Sequence, residues 1–368
     1  MGERRYRITL VVLALALVGA ILLGVGLGAV SIAPWDTIRL IGWKLHLCGR
    51  PPVSIATQVI VLQLRLPRVL LAVIVGAALA VAGMLFQGLF RNPMADPAII
   101  GVSSGAALGA VFVIVAGGGA ALGGLGISAA AFVGAIITAF AVYRIARIGP
   151  STNVATLLLA GIAIASLISG LISIVMSLSG QEIRSIYFWL LGGVGDRGWT
   201  ALEIATPLIA AGVGVAVFLV GDLNLMTMGE ERASQLGTEI ERFKRISLAA
   251  GALLAAAAVS VSGVIGFVGL MTPHLMRLVV GADHRRLLPA SLLAGSIFLV
   301  LADLAARTVI SPEELPVGAV TALLGAPFFL FLLRRQRRGV WEASSVDGGM
   351  RRRPRSERIP RSKQVARV

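Results

Sequence analysis

The feature that most constrains this chain is a series of long apolar runs that follow one another along its 368 residues. A helix needs about 20 apolar residues to cross the hydrocarbon core of a bilayer. Only 14% of the residues are charged and the mean hydropathy is +0.90, which excludes an ordinary soluble domain. We therefore predict an all-α polytopic membrane protein with ten transmembrane helices, at residues 8–30, 66–88, 98–117, 125–146, 154–177, 200–220, 244–266, 268–281, 288–309 and 316–333.

The distribution of lysine and arginine predicts the orientation of these helices. Ten spans place both termini on the same side, and positive residues are enriched in cytoplasmic loops. With that side taken as the cytoplasm, 25 of the 33 lysines and arginines lie inside and 8 lie outside. We therefore predict that both termini are cytoplasmic. The first run follows Arg4, Arg5 and Arg7 and is longer than the apolar core of a cleaved signal peptide, so we expect it to be retained.

The net charge of +15 comes mainly from the predicted cytoplasmic loops and a basic tail. The chain divides into a membrane domain, 1–335, and a tail, 336–368, in which "RRRPRSER" has too little apolar content to fold. Positive charge beside membrane spans sets topology and binds anionic lipid. We therefore expect membrane lipid as the partner of this charge, with no nucleic acid, and we predict a disordered tail.

Two predicted outer segments contain aromatic residues typical of the membrane interface. The loop 31–64 carries Trp35 and Trp43, and we expect it to lie on the membrane surface. The stretch "QEIRSIYFWLLGGVGDRGW" ends in glycines, which favours an interfacial helix followed by a re-entrant turn over a further span.

The sequence contains none of the P-loop or metal-site motifs that are common in enzymes. None of the three lysines, Lys44, Lys244 and Lys363, lies in a glycine-rich P-loop. The single cysteine excludes a multi-cysteine metal site, and the three histidines lack the spacing of a helical zinc site. We predict no catalytic residue, bound cofactor or metal. A secondary carrier is a less favoured alternative, because a proton relay needs buried acids and only Asp303 lies clearly inside a span.

His274 follows Pro273 in the short eighth run. An ionisable group within a span suggests a functional role. However, proline frees a backbone carbonyl, and we favour the interpretation that the imidazole satisfies this carbonyl locally.

The polar stretch between the sixth and seventh runs, 221–243, is long for a simple connection. It matches the pattern E-x-A-x-x-x-G, which resembles the coupling motif of ABC-importer permeases, although Arg232 replaces the usual alanine. A short amphipathic helix here would present side chains to a cytoplasmic partner, whereas the alternative is an ordinary solvated loop. We predict that an ATPase docks on Met226, Met228, Glu230, Glu231, Ala233, Gln235 and Gly237.

Three longer blocks carry a more specific resemblance. They are "LRLPRVLLAVIVGAALAVAGMLFQGLFRNPMADPAIIGVSSGA", "GVIGFVGLMTPHLMRLVVGADHRRLLPASLLAG" and "ADLAARTVISPEELPVGAVTALLGAPFFLFLL". The blocks closely resemble the FecCD family, the permeases for import of iron-siderophore complexes, haem and vitamin B12. The likeness spans roughly residues 30–335.

This resemblance implies a ten-helix subunit of a type II ABC importer in the cytoplasmic membrane of a prokaryote. The subunit would pair with a second copy of itself, or with a related permease, around a central pathway. Two cytoplasmic ATPase subunits would use ATP and Mg²⁺, and an extracytoplasmic binding protein would deliver the substrate. A ferric siderophore is the favoured iron-chelate substrate, with haem or vitamin B12 as the alternative.

The start of the fifth span, in "GPSTNVATLLLAG", contains small polar side chains that suit a cytoplasmic gate. Asn153 and Thr156 could line a closing pore in that case. Capping of the fifth span by Ser151, Thr152 or Asn153 is an equally favoured alternative. The candidate gate residues are Ser151, Thr152, Asn153 and Thr156.

Two outward arginines, Arg65 and Arg68, flank Pro67 in the predicted first turn of the second span. Their spacing puts them on one face, from which we expect both to point into the outer aqueous phase. The family resemblance matches Arg65, Arg68 and Arg307 to arginines that receive acidic residues of the binding protein. Asp303 competes for Arg307 from one turn earlier, whereas the alternative for the other two is snorkelling at the interface.

Overall fold

The computed structural model describes residues 2–28, 32–44, 46–47, 49, 51–117, 125–149, 151–180, 182–195, 197–331 and 334. Met1–Gly325 belongs to one compact unit, and the described part of the second unit is a helix end, 326–331, together with Arg334. The predicted tail, 336–368, lies outside the described residues, and so do parts of the loop 31–64.

The described residues are mostly helical, with a single two-residue hairpin among them. In chain order the elements are α1 (Glu3–Gly26), α2 (Pro34–Lys44), α3 (Ile55–Leu89), α4 (Val102–Val115), α5 (Leu125–Ala146), β1 (Arg147–Ile148), β2 (Ser151–Thr152), α6 (Val154–Leu178), α7 (Ile183–Leu191), α8 (Gly198–Met226), α9 (Glu230–Gln235), α10 (Ile240–Ser262), α11 (Val268–Val280), α12 (His284–Thr308) and α13 (Val317–Phe331).

Ten of these helices correspond to the ten predicted apolar runs. By length and composition, 7 of them can cross a membrane, namely α1, α3, α5, α6, α8, α10 and α12. The other three, α4, α11 and α13, are apolar but shorter. The prediction of an all-α chain with many apolar helices is therefore confirmed. Some helix boundaries differ from the predicted ones.

The largest boundary correction concerns α3, which begins at Ile55 and not near residue 66. Its residues Ile60–Arg65 are π-helical, so that Leu66 N–H bonds to Val61 O five residues back. Pro67 has no N–H with which to continue this pattern, and Leu62 O instead accepts a hydrogen bond from Trp199 Nε1 at 3.0 Å. Pro67 therefore opens the regular α-helical part of α3 but does not begin the helix.

The centre of the fold is formed by α3 and α10. In their apolar windows 83% and 78% of the residues are buried, compared with 17% in α1. Helix α3 contacts α8, α10, α11 and α12, so it is surrounded by other helices. A helix that is apolar on all sides and enclosed in this way holds its neighbours in register. Both ends of α3 therefore lie where several helices meet.

Glycines allow the closest helix contacts. Gly76 of α3 lies against Gly295 of α12, and a methyl group on either would overlap the backbone carbonyl of the other. On α4, Gly105 and Gly109 pack in the same way against the backbone of α5. Gly105 and Gly109 are four residues apart, which is the small-xxx-small spacing typical of closely packed membrane helices.

Helices α5 and α6 have outward faces that the rest of the described chain does not cover. Only 22% of the apolar window of each is buried. On α6 the exposed apolar side chains include Leu159, Ile162, Leu167 and Ile174. Exposed apolar surface of this extent is covered by lipid or by another subunit in a membrane protein.

The predicted interfacial helix is present as α7. It buries Ile186 and Trp189, whereas Tyr187 and Phe188 are each about half exposed. The chain after α7 turns back onto the end of α10, where Gly193 N donates to Ser262 O at 2.7 Å. A helix followed by a returning chain is thus present, whereas its position at the membrane interface stays a prediction.

Candidate functional site

Five charged residues meet at the end of the fold where the regular α-helical part of α3 begins and α12 ends. We call Arg65, Arg68, Asp303, Arg307 and Glu314 the arginine cluster. Arg68 Nη2 lies 2.9 Å from Asp303 Oδ1, and Arg307 Nε lies 3.0 Å from Asp303 Oδ2. Arg68 Nη1 also lies 2.8 Å from Glu314 Oε2. Asp303, whose side chain is 1% exposed, therefore holds two arginines at once.

Arg65 and Arg307 also bind the last carbonyls of α1. Arg65 Nη1 donates to Val25 O at 3.0 Å and to Gly26 O at 2.9 Å. Arg307 Nη2 donates to Gly24 O at 2.9 Å. The final carbonyls of a helix have no partners within the helix and carry its negative dipole end, so they suit guanidinium groups. The two arginines thereby fasten α1 to α3 and α12.

The expectation that Arg65 and Arg68 both point into the aqueous phase is wrong. Arg65 is only 8% exposed, and Arg68 is paired with Asp303 and Glu314. Asp303 is 235 residues away in sequence, so helical spacing does not reveal this pair. For Arg307, the predicted pairing with Asp303 one turn earlier is present.

A cavity of about 550 Å³ opens beside the arginine cluster. Its charged lining consists of Arg65, Arg68, Arg197, Arg307 and Glu314. Four of these five residues are cationic, and the side chain of Glu314 is 51% exposed. The cavity therefore offers positive charge to an acidic group that approaches this end of the protein.

The predicted coupling segment forms a short helix, α9, between two glycines of positive φ. Gly229 has φ 104° and Gly237 has φ 95°, a region that favours glycine. Ala233 is fully buried in the middle of α9. The alanine and the glycine of the motif thus have structural reasons. A side chain larger than that of Ala233 would push α9 outward, and a non-glycine residue at Gly237 would strain the end of the helix.

Two residues predicted to dock the ATPase do not face outward. Met226 is fully buried, because it lies in the last turn of α8 and points into the core. Ala233 is also buried, as noted for the motif. The exposed residues of the segment include Met228, Glu231, Arg232, Gln235 and Leu236. We call these residues the coupling surface.

Behind the coupling surface lies a buried lysine that the sequence interpretation did not single out. Lys244 of α10 is 5% exposed, and its Nζ lies 2.9 Å from Glu230 Oε2 and 3.4 Å from Glu241 Oε1. Its Nζ also donates to Thr152 O at 3.3 Å, and Thr152 N donates to Glu241 Oε2 at 2.8 Å. We call these four residues the lysine cluster. The only signal in the sequence is the i, i+3 pair on α10.

The predicted gate residues lie directly beside the lysine cluster. Asn153 caps α6, since its Oδ1 accepts a hydrogen bond from Thr156 N at 3.0 Å. The capping alternative is therefore present in the structure. Thr152 is 4% exposed and pairs with Arg147 across the hairpin that precedes α6. A role of these residues in gating stays a prediction.

The last turn of α8, before the coupling surface, is tied to the start of α12. Asn224 Nδ2 donates to Asp283 Oδ1 at 2.7 Å, and Asn224 Oδ1 accepts from His284 N at 2.8 Å. Partial burial of Asp283 opposes ionisation, but the hydrogen bonds from Arg285 N and Asn224 lower its pKa overall. Asp283 is therefore anionic at neutral pH and fixes this turn.

The local repair predicted for His274 is made by a different residue. Pro273 frees the carbonyl of Gly269, and Gln87 Nε2 of α3 donates to Gly269 O at 3.5 Å and to Leu270 O at 3.0 Å. His274 Nε2 is buried without a hydrogen-bond partner among the described residues. The sequence identifies the freed carbonyl, but its donor comes from a neighbouring helix.

The described chain has apolar helices of spanning length, a charged cluster at one end and an exposed coupling motif at the other. These features are those of a multi-pass membrane protein of the ABC-importer permease class. The sequence comparison is more specific. The chain belongs to the FecCD transport family, whose model matches residues 14–335. It is accordingly a multi-pass protein of the cytoplasmic membrane.

Several named relatives are similar to this chain over most of its length. The cobalamin import system permease protein BtuC of Halobacterium salinarum is 47% identical over 82% of this chain and 79% of that protein. The hemin transport system permease protein HmuU of Yersinia pestis is 44% identical over 75% of this chain and 83% of that protein. A solved metal-chelate type ABC transporter in an inward-facing conformation has a TM-score of 0.77 and 32% identity, covering 89% and 98% of the two chains.

Proposed function

We propose that this chain is the membrane-spanning subunit of an ABC importer for a metal chelate, with a ferric siderophore as the favoured substrate. The family match over residues 14–335 is the observation that carries this proposal. Haem or cobalamin is the second candidate, because relatives that share 44% and 47% of their residues with this chain import these two compounds by name.

The architecture that we propose has ten spans with both termini in the cytoplasm. The excess of arginine and lysine in the loops at one side supports this orientation. The arginine cluster then faces the outside and the coupling surface faces the cytoplasm. Exposed apolar side chains on α6 and α13, such as Leu159 and Leu323, support pairing with a second copy or a related permease.

An ATPase dimer docks on the coupling surface in this proposal. Met228 and Leu236 are each more than half exposed, and Glu231 lies between them in the chain. Exposed apolar side chains beside a charge are typical of a helix that fits into a partner's groove. ATP and Mg²⁺ belong to that partner, whose P-loop supplies the phosphate chemistry.

The binding protein docks over the arginine cluster. Arg65 and Arg307 hold α1 in place, so the direct contact falls to Arg68 and its exposed partner Glu314. An acidic residue of the binding protein would share the guanidinium of Arg68 with Glu314, or would replace Glu314 on it. A bidentate contact of this kind fixes orientation as well as affinity.

Uptake by the reconstituted complex tests the substrate. The chain, its ATPase and its binding protein are placed in liposomes and offered labelled ferric siderophore, haem or cobalamin. We expect ATP-dependent uptake of the ferric chelate. Uptake of only haem or only cobalamin would establish the second candidate, and no ATP-dependent uptake of any of the three would contradict the proposal.

A further inference from the structure

The lysine cluster joins three separate parts of the chain. Glu230 is the first residue of α9, the helix that carries most of the coupling surface. Glu241 and Lys244 belong to the first two turns of α10. Thr152 ends the hairpin from which α6 begins. The amine of Lys244 contacts all three parts, with Nζ distances of 2.9 Å to Glu230, 3.4 Å to Glu241 and 3.3 Å to Thr152 O.

Burial makes these contacts hard to break one at a time. Lys244 is 5% exposed, whereas the side chains of Glu230 and Glu241 are 37% and 39% exposed. A buried ammonium group that loses its partners keeps its desolvation penalty, so it follows its partners or exchanges them. Movement of α9 therefore changes the forces on the hairpin through a single side chain.

There is also space for such a movement. A cavity of about 310 Å³ lies beside the cluster and is lined by Lys244, Glu230, Thr152 and Asn153, together with the end of α3. Arg91 lines the same cavity as Glu230, so a second cation is present in its wall. The cavity thus contains space and a cation other than Lys244 on the side of Glu230.

We propose that Lys244 is the positioning residue that transmits displacement of the coupling helix α9 to the hairpin and the first turn of α6. The inference rests on the proposed function, since it requires an ATPase that moves α9. Lys244 holds Glu230 and Thr152 O together in the resting state. When α9 draws Glu230 away, Lys244 stays paired with Glu241, and the hydrogen bond from Lys244 Nζ to Thr152 O changes as the lysine side chain moves.

The test measures movement at two exposed positions of the full complex. The variant Cys48→Ser removes the single cysteine of the chain, and new cysteines are placed by Asn153→Cys beside the hairpin or by Ser234→Cys on α9. A charged maleimide then reports the rate of labelling with and without ATP and vanadate. Ser234 reports ATPase docking, and Asn153 reports movement at the start of α6.

The variant Lys244→Met keeps the length of the side chain and removes its charge. We expect the nucleotide-dependent change at Asn153 to fall about tenfold, within the range of typical coupling free energies, while the change at Ser234 persists. The matched control is Arg242→Met, because Arg242 lies on the same turn of α10 but pairs only at the surface, 3.7 Å from Glu239. That control should change neither position.

The outcomes separate this inference from the proposed function. Two results would overturn the role of Lys244 but not the proposed function. One is an unaltered response at Asn153 in the variant Lys244→Met. The other is a wild-type complex that responds at Ser234 but not at Asn153. No response at Ser234 in the wild-type complex would overturn ATPase docking itself. If Lys244→Met does not assemble, Glu230→Gln breaks only the link to α9 and should give the same selective loss at Asn153.

Discussion

At the scale of single residues, the arginine cluster shows how one buried acid organises several cations. Asp303 pairs with both Arg68 and Arg307. Arg68 also pairs with Glu314, whereas Arg65 and Arg307 bind the end of α1. Removing one partner from a buried ion pair costs more than the pair contributes, because the remaining charge stays desolvated. Asp303 is thus the residue on which the cluster depends.

The variant Asp303→Asn should destabilise the protein by about 3–5 kcal/mol, since it leaves two buried guanidinium groups facing each other. The measurement is the unfolding midpoint of the purified protein in detergent. Glu314→Gln is the control, because the side chain of Glu314 is 51% exposed and such pairs contribute about 0–1 kcal/mol. Equal midpoints for both variants would show that Asp303 has no special role.

At the scale of elements, the apolar runs predict the helices well, but the ends of helices less well. The beginning of α3 is missed because Ile55–Arg65 mixes apolar residues with glutamines and an arginine. The coupling motif predicts a short helix, whereas the burial of Met226 depends on how α8 is rotated against its neighbours. Periodicity in one segment contains no information about contacts such as Gln87 with Gly269, which join helices far apart in sequence.

Helix separation is tested by Gly76→Ala. The added methyl group would overlap Gly295 of α12, so α3 and α12 must move apart, and we expect a loss of about 1–3 kcal/mol typical of overpacking. Gly170→Ala on α6 is the matched control, because no atom lies within 4 Å of its position. Unfolding midpoints should fall only for Gly76→Ala, and an unchanged midpoint would argue against the close contact.

ATPase coupling is tested by Glu231→Arg on the coupling surface. Reversing an exposed charge leaves the fold intact but opposes a partner built for the carboxylate, so uptake should fall about tenfold or more while membrane insertion is normal. ATP hydrolysis and uptake are measured in the reconstituted complex. Arg232→Ala, which restores the more usual residue of the motif, should keep coupling. Unchanged uptake in Glu231→Arg would remove this surface from the docking site.

At the scale of the whole molecule, the two clusters lie at opposite ends of the regular α-helical part of α3, with the arginine cluster near Arg65 and the lysine cluster near Leu89. The sequence predicts both places approximately, since it assigns arginines to one end and the coupling motif to the other. The pair of Asp303 with Arg307, one turn apart, was recognised as an alternative in the sequence. The pairs of Arg68 with Asp303 and of Lys244 with Glu230 were not predicted, because their members lie on different elements. The enclosed helix α3 lies between the two clusters.

Docking of the binding protein is tested by Glu314→Gln. Loss of this exposed carboxylate frees Arg68 for an acidic partner and makes the rim more positive, so association should become faster at low salt. The advantage should shrink at high salt, where exposed charges are screened. The measurement is the association rate over a range of salt concentrations. Slower or unchanged association at every salt concentration would contradict docking at the arginine cluster.

Pairing of two copies is tested by crosslinking at the start of α6. With Cys48→Ser as background, Asn153→Cys and Thr156→Cys should crosslink between copies in one nucleotide state, because both residues begin a helix whose outward face is uncovered. Gel mobility of the crosslinked complex is the measurement. If no nucleotide state gives crosslinks, these residues serve as a helix cap and do not line a gate.

The π-helical stretch of α3 has a consequence for how the outer surface can vary. Such a stretch holds a surplus residue compared with α-helical turns, and each residue of an α-helix adds a rotation of about 100°. Deleting one residue within Ile60–Arg65 would turn everything before it by that angle and leave Leu66–Leu89 in place. A change in length at this one position can therefore redirect the preceding loop while the membrane part stays constant.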